Sequence, residues 1–195
     1  EKNAHIRFQF HGEKHAIEDA LHAYPALNAV STIHHTDDKV ADDAKPSIAV
    51  RQGKKSSMWQ AIAAVKSGEA QAVVSGGNTG ALMAMVKLIL RTLPGVKRPA
   101  AASLFPTKTG QVVMLDLGAN LECSAEELFQ FAIMGDAYAR AVLGIKSPKI
   151  GLLNVGEEES KGHPEIRDAA QLLRESELDL NFVGFVEGNN VPEGK

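Results

Sequence analysis

The sequence predicts an α/β protein with a mostly parallel sheet covered by helices on both sides. Strand-like and helix-like segments alternate through most of its 195 residues. Several strands are near-continuous apolar runs, as in "QAVV", "VVML" and "IGLL", a pattern of strands buried on both faces. Polar, glycine-containing segments follow strands, where ligands of parallel α/β sheets collect.

The elements follow in order. "HIRFQF" (5–10) alternates apolar and polar and predicts a strand. The stretch after it sets Ala16, Ile17, Ala20, Leu21 and Tyr24 at helical spacing, and "NAVSTIHH" predicts a second strand. After the loop "TDDKVADDAKP", Pro46 restarts structure with a short helix and a basic turn. Ser56 or Ser57 then caps a helix whose apolar face is Met58, Ile62 and Val65. "AQAVVSGG" (70–77) predicts a strand and "TGALMAMVKLILRTL" a helix stopped by Pro94-Gly95. "AAASLF" and "QVVMLDLGA" predict two strands joined by "PTKTG", an antiparallel pair or a short excursion. The longest helix starts at Ser124, with Glu127 in capping-box spacing, and stops at Gly144. "KIGLLNVG" predicts a strand, "PEIRDAAQLLRES" a helix with proline in its first turn, and "LNFVGFVEG" a last strand.

Composition narrows the function. A net charge of −3 gives no bulk attraction to nucleic acid, so a basic site must be local. One cysteine, Cys123, excludes an intrachain disulfide and a CxxC site, which leads us to expect a cytoplasmic protein. No apolar run reaches the roughly 20 residues of a membrane span, and no signal-peptide pattern opens the chain. The chain lacks an initial methionine and enters a strand almost at once. We therefore expect residues 1–195 to form a single α/β domain from the central part of a longer chain.

Three segments after strands carry candidate chemistry. In "SGGNTG" (Ser75, Gly76, Gly77, Asn78, Thr79, Gly80) the glycines allow close approach of backbone to ligand, and Asn78 or Thr79 can cap a helix whose free N–H groups favour an anion. The segment lacks a Walker Gly-Lys-Ser/Thr and a full dinucleotide fingerprint. From pattern alone it is either a tight strand-to-helix turn or a phosphate cradle. "DLGANLE" places Asp116 near a strand end and offers the Asn120 amide, or forms an Asx-capped loop. "NVGEEESKG" is either a solvated edge or a site where Lys161 stabilises an anionic transition state, fixed by Glu157, Glu158 or Glu159. Arg51, Lys54 and Lys55 form a solvated face, or a landing site for an acidic partner or for phosphate at the Ser56–Ser57 helix end. No metal is expected: His34 and His35 are adjacent and point to opposite sides of a strand. Cys123 has no histidine nearby in sequence to activate a thiolate.

Together "DDAKPSIAVRQGKKSSM", "AVVSGGNTGALMA", "RPA", "VVMLDLGAN", "QFAIMGDAYAR", "GLLNVGEEESKG" and "GFVEGN" resemble the PlsX-type phosphate acyltransferases of bacterial phospholipid synthesis. They run in that family's order over nearly the whole chain. The family's opening Asp-x-Met-Gly-Gly-Asp strand and its later Gly-Phe-Thr-Gly-Asn loop are not in this sequence, and Gly76 replaces a common alanine.

The resemblance implies a three-layer α/β/α sandwich like the isocitrate and isopropylmalate dehydrogenases and related to phosphotransacetylase. It implies transfer of a fatty acyl group from acyl-acyl-carrier-protein to inorganic phosphate, without a cofactor, by a homodimer that can associate peripherally with the membrane. On it, Lys161, Asp116, Asn120 and Glu158 are expected to be catalytic, residues 75–80 to bind phosphate, and Arg51, Lys54 and Lys55 to meet the carrier protein. The rival expectations are a transferase using acyl-CoA and a catalytically silent module that binds phosphate or the carrier.

Overall fold

The computed structural model describes residues 5–118, 120, 122–158 and 161–194. The chain divides into two compact units, Glu1–Leu93 and Pro94–Lys195.

In the first unit β1 (Phe8–Gly12) leads into α1 (Lys14–His22), a short helix α2 (Pro25–Asn28) and β2 (Ser31–His35). β1 and β2 pair in parallel, with His11 opposite His34. Next come α3 (Pro46–Gln52), a 3-10 turn (Gly53–Lys55), α4 (Ser57–Ser67) and α5 (Thr79–Ile89). The Ser56 hydroxyl accepts the Trp59 N–H and caps α4, and Gly68 ends it in the left-handed conformation. Ala49, Met58, Ile62, Ala81, Met85 and Ile89 form this unit's core, so α3, α4 and α5 pack on one another.

The long β2–α3 loop is held from outside itself. The Thr36 hydroxyl donates to the Lys55 carbonyl (2.9 Å), and the Asn78 amide donates to the carbonyls of Asp42 and Ala44 (both 2.9 Å) and Ala41 (3.3 Å).

Two expectations change here. Residues 70–77 are not a strand: the segment joins no ladder, and Val74 is 96% exposed. A β-branched pair needs a neighbouring strand, and Ser75-Gly76-Gly77 weakens its own strand tendency. α5 ends at Ile89, before Pro94, where Arg91 turns the chain with φ 65°.

In the second unit β3 (Ala102–Thr107) and β4 (Gly110–Leu115) form the antiparallel hairpin. α6 (Ala125–Leu143) has the full capping box of Ser124 and Glu127, and Gly144 closes it in the left-handed conformation. β5 (Lys149–Leu153) pairs in parallel with β6 (Asn181–Val186), joined by α7 (Pro164–Glu175), and a short helix α8 (Asn190–Glu193) follows. Leu152, Ala169, Ala170, Leu173 and Phe185 make the core between this pair and α7. Among the described residues the strands form three two-stranded sheets, so the architecture is α/β with two parallel pairs and one antiparallel pair.

Candidate functional site

In the first unit residues 75–80 form the turn into α5. Asn78 is the N-cap: its Oδ1 accepts the Ala81 N–H at 2.9 Å, while its Nδ2 holds the β2–α3 loop. The whole carboxamide is therefore spent on building the turn. Thr79 and Gly80, both exposed, occupy the first turn of α5, where backbone N–H groups lack helical partners. The Ser75 hydroxyl accepts the Gly77 N–H at 3.3 Å. Gly80 lies close against Pro46, whose Cγ would be 3.0 Å from an added Cβ.

Ser75, Gly76 and Gly77 line a cavity of about 350 Å³, on the scale of small-ligand sites. Lys39, Ser57 and His11 also line it, and Met58 and Val73 supply apolar wall. Arg51, Lys54 and Lys55 stand exposed on the end of α3 and the following 3-10 turn and are not among these lining residues.

Sequence reasoning missed His11. Its ring stacks on His34, and its Nδ1 is buried without a hydrogen-bond partner. Burial and the neighbouring His34 hold its pKa below the ordinary histidine value. The sequence signal was the "FQFHG" alternation, which sets His11 on the same side of β1 as Gln9.

Glu13, His35 and Asp37 each bring one ligand-type atom within 4.8 Å of the others, on exposed side chains. Two of the three residues already have structural duties. The two Glu13 oxygens cap α1 by accepting the N–H groups of His15 (2.9 Å) and Ala16 (2.7 Å), and His35 Nδ1 accepts the Lys14 N–H (3.2 Å). A ring nitrogen that accepts from a backbone N–H is not presenting that lone pair to an ion.

In the second unit the candidates fall on two loops. Asp116 and Asn120 lie on the β4–α6 loop. Asp116 Oδ1 accepts the Ala101 N–H (2.9 Å), and Oδ2 accepts both the backbone and side-chain N–H groups of Asn120 (2.7 Å each). Asn120 Nδ2 also reaches the Pro99 carbonyl, and its Oδ1 faces Arg98 at 3.5 Å. Arg98 in turn pairs with Glu127 at 2.7 Å, which ties this loop to the cap of α6. The Ser124 backbone N–H, the Ser124 hydroxyl and Arg98 hold the Glu127 carboxyl below its ordinary pKa. Cys123 sits beside this network, and burial, Asp116 and Glu127 push its thiol pKa up, against thiolate chemistry.

Lys161 and Glu158 lie on the β5–α7 loop, with Nζ 2.8 Å from Oε1, both exposed. The hydrogen bond to Glu158, and then its charge, raise the Lys161 pKa; Lys161 holds the Glu158 carboxyl below its ordinary value. The ammonium is thus charged at neutral pH and suited to a developing negative charge. Glu157 is engaged elsewhere, accepting from the Asn190 side chain, and Glu159 lies outside the described residues.

The α/β chain carries glycine-containing turns and exposed cations that suit an anion, and its sequence holds no full dinucleotide fingerprint. The comparisons make this specific: the chain belongs to the family described as "Fatty acid synthesis protein", whose model matches residues 1–195. The chain is similar to proteins named phosphate acyltransferase. It is 58% identical to that of Rhodospirillum centenum over 194 residues and 53% identical to that of Paramagnetospirillum magneticum over 194 residues, covering 100% of this chain and 55% of each relative. With that of Rhodospirillum rubrum it is 53% identical over 189 residues, 97% of this chain and 54% of the relative. The chain thus spans about half the length of the curated relatives it matches. These matches bear out the resemblance to PlsX-type phosphate acyltransferases. No helix among the described residues is long and apolar enough to cross a membrane.

Proposed function

We propose that this chain takes part in transferring a fatty acyl group from acyl-acyl-carrier-protein to inorganic phosphate. The observation that carries the reading is the 58% identity over the whole chain to a protein named phosphate acyltransferase. A phosphate oxygen attacks the thioester carbonyl carbon, a tetrahedral oxyanion forms, the C–S bond breaks, and the carrier leaves as a thiolate that takes up a proton. Phosphate is itself the nucleophile, so the protein's tasks are holding anions and stabilising the oxyanion.

In the first unit the Thr79 and Gly80 amides, the Ser75 and Thr79 hydroxyls and the room left by Gly76 and Gly77 suit phosphate. Asn78 shapes that turn. In the second unit Lys161, fixed by Glu158, is the cation for the oxyanion or for phosphate, and Asp116 with Asn120 sets the β4–α6 loop. Arg51, Lys54 and Lys55 offer an exposed basic face to the acidic carrier.

The expected α/β/α sandwich rests on the family resemblance, and the parallel pairs within each unit are compatible with it. Dimerisation, peripheral membrane association and a cytoplasmic location are proposed on the same resemblance.

The test is acyl phosphate formation with acyl-carrier-protein and acyl-CoA donors side by side. Turnover with the carrier thioester that falls at least tenfold in Lys161→Ala supports the reading; near-normal turnover in the folded variant removes the lysine. An unchanged KM for phosphate in Ser75→Ala with Thr79→Ala sinks the cradle. A second reading is a silent module that binds phosphate or the carrier; phosphate binding without acyl phosphate release establishes it.

A further inference from the structure

At the end of β5 the chain turns through Asn154, which is only 8% exposed. Its backbone N–H continues the β5–β6 ladder by donating to the Val186 carbonyl at 2.9 Å. Its side chain does something different. Both hydrogens of one amide are used on the chain ahead, with Nδ2 donating to the Gly156 carbonyl and to the Lys161 carbonyl, each at 3.1 Å. One buried group thus fastens two points on the loop to the sheet.

The other side of the carboxamide is as closely fitted. Asn154 Oδ1 is buried without a hydrogen-bond partner and faces Gly162, where an added Cβ would lie 2.0 Å from it. Gly162 has φ 86°, and its carbonyl accepts from Arg167 Nη1 of α7 at 2.8 Å. Lys161 is therefore flanked by fixed points. Its carbonyl is held from β5, the next residue from α7, and its own N–H donates to the Glu158 carbonyl at 3.1 Å. A buried acceptor left unpaired is costly to keep, which fits an amide whose position is dictated by its two donors.

We propose that Asn154 is the positioning residue for Lys161: by tying the Lys161 carbonyl to the end of β5 it sets where the ammonium stands. This rests on the reading of Lys161 as the site's cation. Asparagine suits the task because it supplies two donors from one planar group without charge. Leucine has nearly the same shape but no donor and no charge, so it would release the clamp without itself acting on the lysine's charge.

The experiment follows Lys161 itself. In the 195-residue chain with labelled lysine, the Lys161 signal is assigned with Lys161→Arg and titrated by NMR. Glu158 and Glu187 are the carboxylates that act on it. The wild type is expected to titrate above an ordinary lysine. Asn154→Leu removes both donors without adding a charge and is expected to bring that titration back toward the ordinary value, with the remaining spectrum still dispersed. A Lys161 titration that Asn154→Leu leaves unmoved overturns the proposal.

If that variant does not fold, the wild type decides. The two Asn154 side-chain amide protons should be distinct and exchange at least tenfold slower than those of an exposed asparagine; exchange at the exposed rate overturns the clamp. Turnover separates this proposal from the one it rests on. A kcat loss in Asn154→Leu near that of Lys161→Ala, with the KM for phosphate changed less than about threefold, supports both. Full activity in Lys161→Ala alongside a moved titration in Asn154→Leu supports the clamp and removes the catalytic reading.

Discussion

The imidazole rings of His11 and His34 stack across the parallel β1–β2 pair, with centroids 4.7 Å apart and planes 14° from parallel. Two rings this close disfavour a second positive charge, and burial disfavours even the first on His11.

This pairing makes the first unit sensitive to mild acid. The folded pKa of His11 lies below that of an unfolded histidine, about 6.5, so the unfolded chain takes up the proton first. The contribution to stability is complete above about pH 6.5 and is lost as pH falls toward the folded value. Urea midpoints at pH 7.5 and 5.5 should differ less in His11→Gln than in the wild type. An equal difference in both would remove His11 from the explanation.

Glu127 gives the second unit a response at lower pH. Its folded pKa is depressed, so its contribution is present above about pH 4.5 and is lost as pH falls through the folded value. Glu127→Gln should weaken the fold at pH 7 and flatten the acid limb of a stability–pH curve. Ser124→Ala, which removes the hydroxyl of the capping box, should cost about 1 kcal/mol in denaturant titration.

Two glycines in the same left-handed region should respond differently to alanine. At Gly144 (φ 69°) nothing lies within 4 Å of the new Cβ, so Gly144→Ala should cost only the backbone term of about 1–2 kcal/mol. Gly162→Ala meets Asn154 Oδ1 as well and should cost measurably more. Similar losses in both would mean that the β5–α7 loop yields to the added methyl.

The core of the first unit includes Ile62 of α4, which is 0% exposed and lies in one cluster with the buried residues of α3 and α5. Ile62→Ala should lower stability by about 2–5 kcal/mol. Leu93→Ala, at a side chain 77% exposed, should stay within about 0.5 kcal/mol. Parallel thermal melts check both.

What the sequence made legible was mostly local. Ser56, Ser124 with Glu127, Gly144 and Pro164 each mark a helix end with neighbours only a few residues away, and the structure has those ends. The β3–β4 hairpin was legible for the same reason. Strand identity needs a partner, and the apolar run at Val73 and Val74 looked like a strand while joining no ladder. The candidate site was legible as residue types, and less so as roles. Asn78 reads as a helix cap and as a phosphate ligand; the structure has the cap, and the donors go to carbonyls 34 to 37 positions away, which no local pattern signals. Asn154 does not stand apart within "NVGEEESKG", because its duty appears only when β5, the loop and α7 are placed in space.

The latch from Asn78 onto the β2–α3 loop also has a consequence for proteases. Lys39 is exposed there, a ready point for tryptic cleavage by its chemistry. A peptide bond is cut only after the chain opens into an extended shape, and here Thr36 and Asn78 pin the loop on both sides of Lys39. Nicking after Lys39 should therefore be slow while Asn78 keeps its grip, and fast once it lets go. The cleavage rate becomes a clock for how often the α5 turn comes undone.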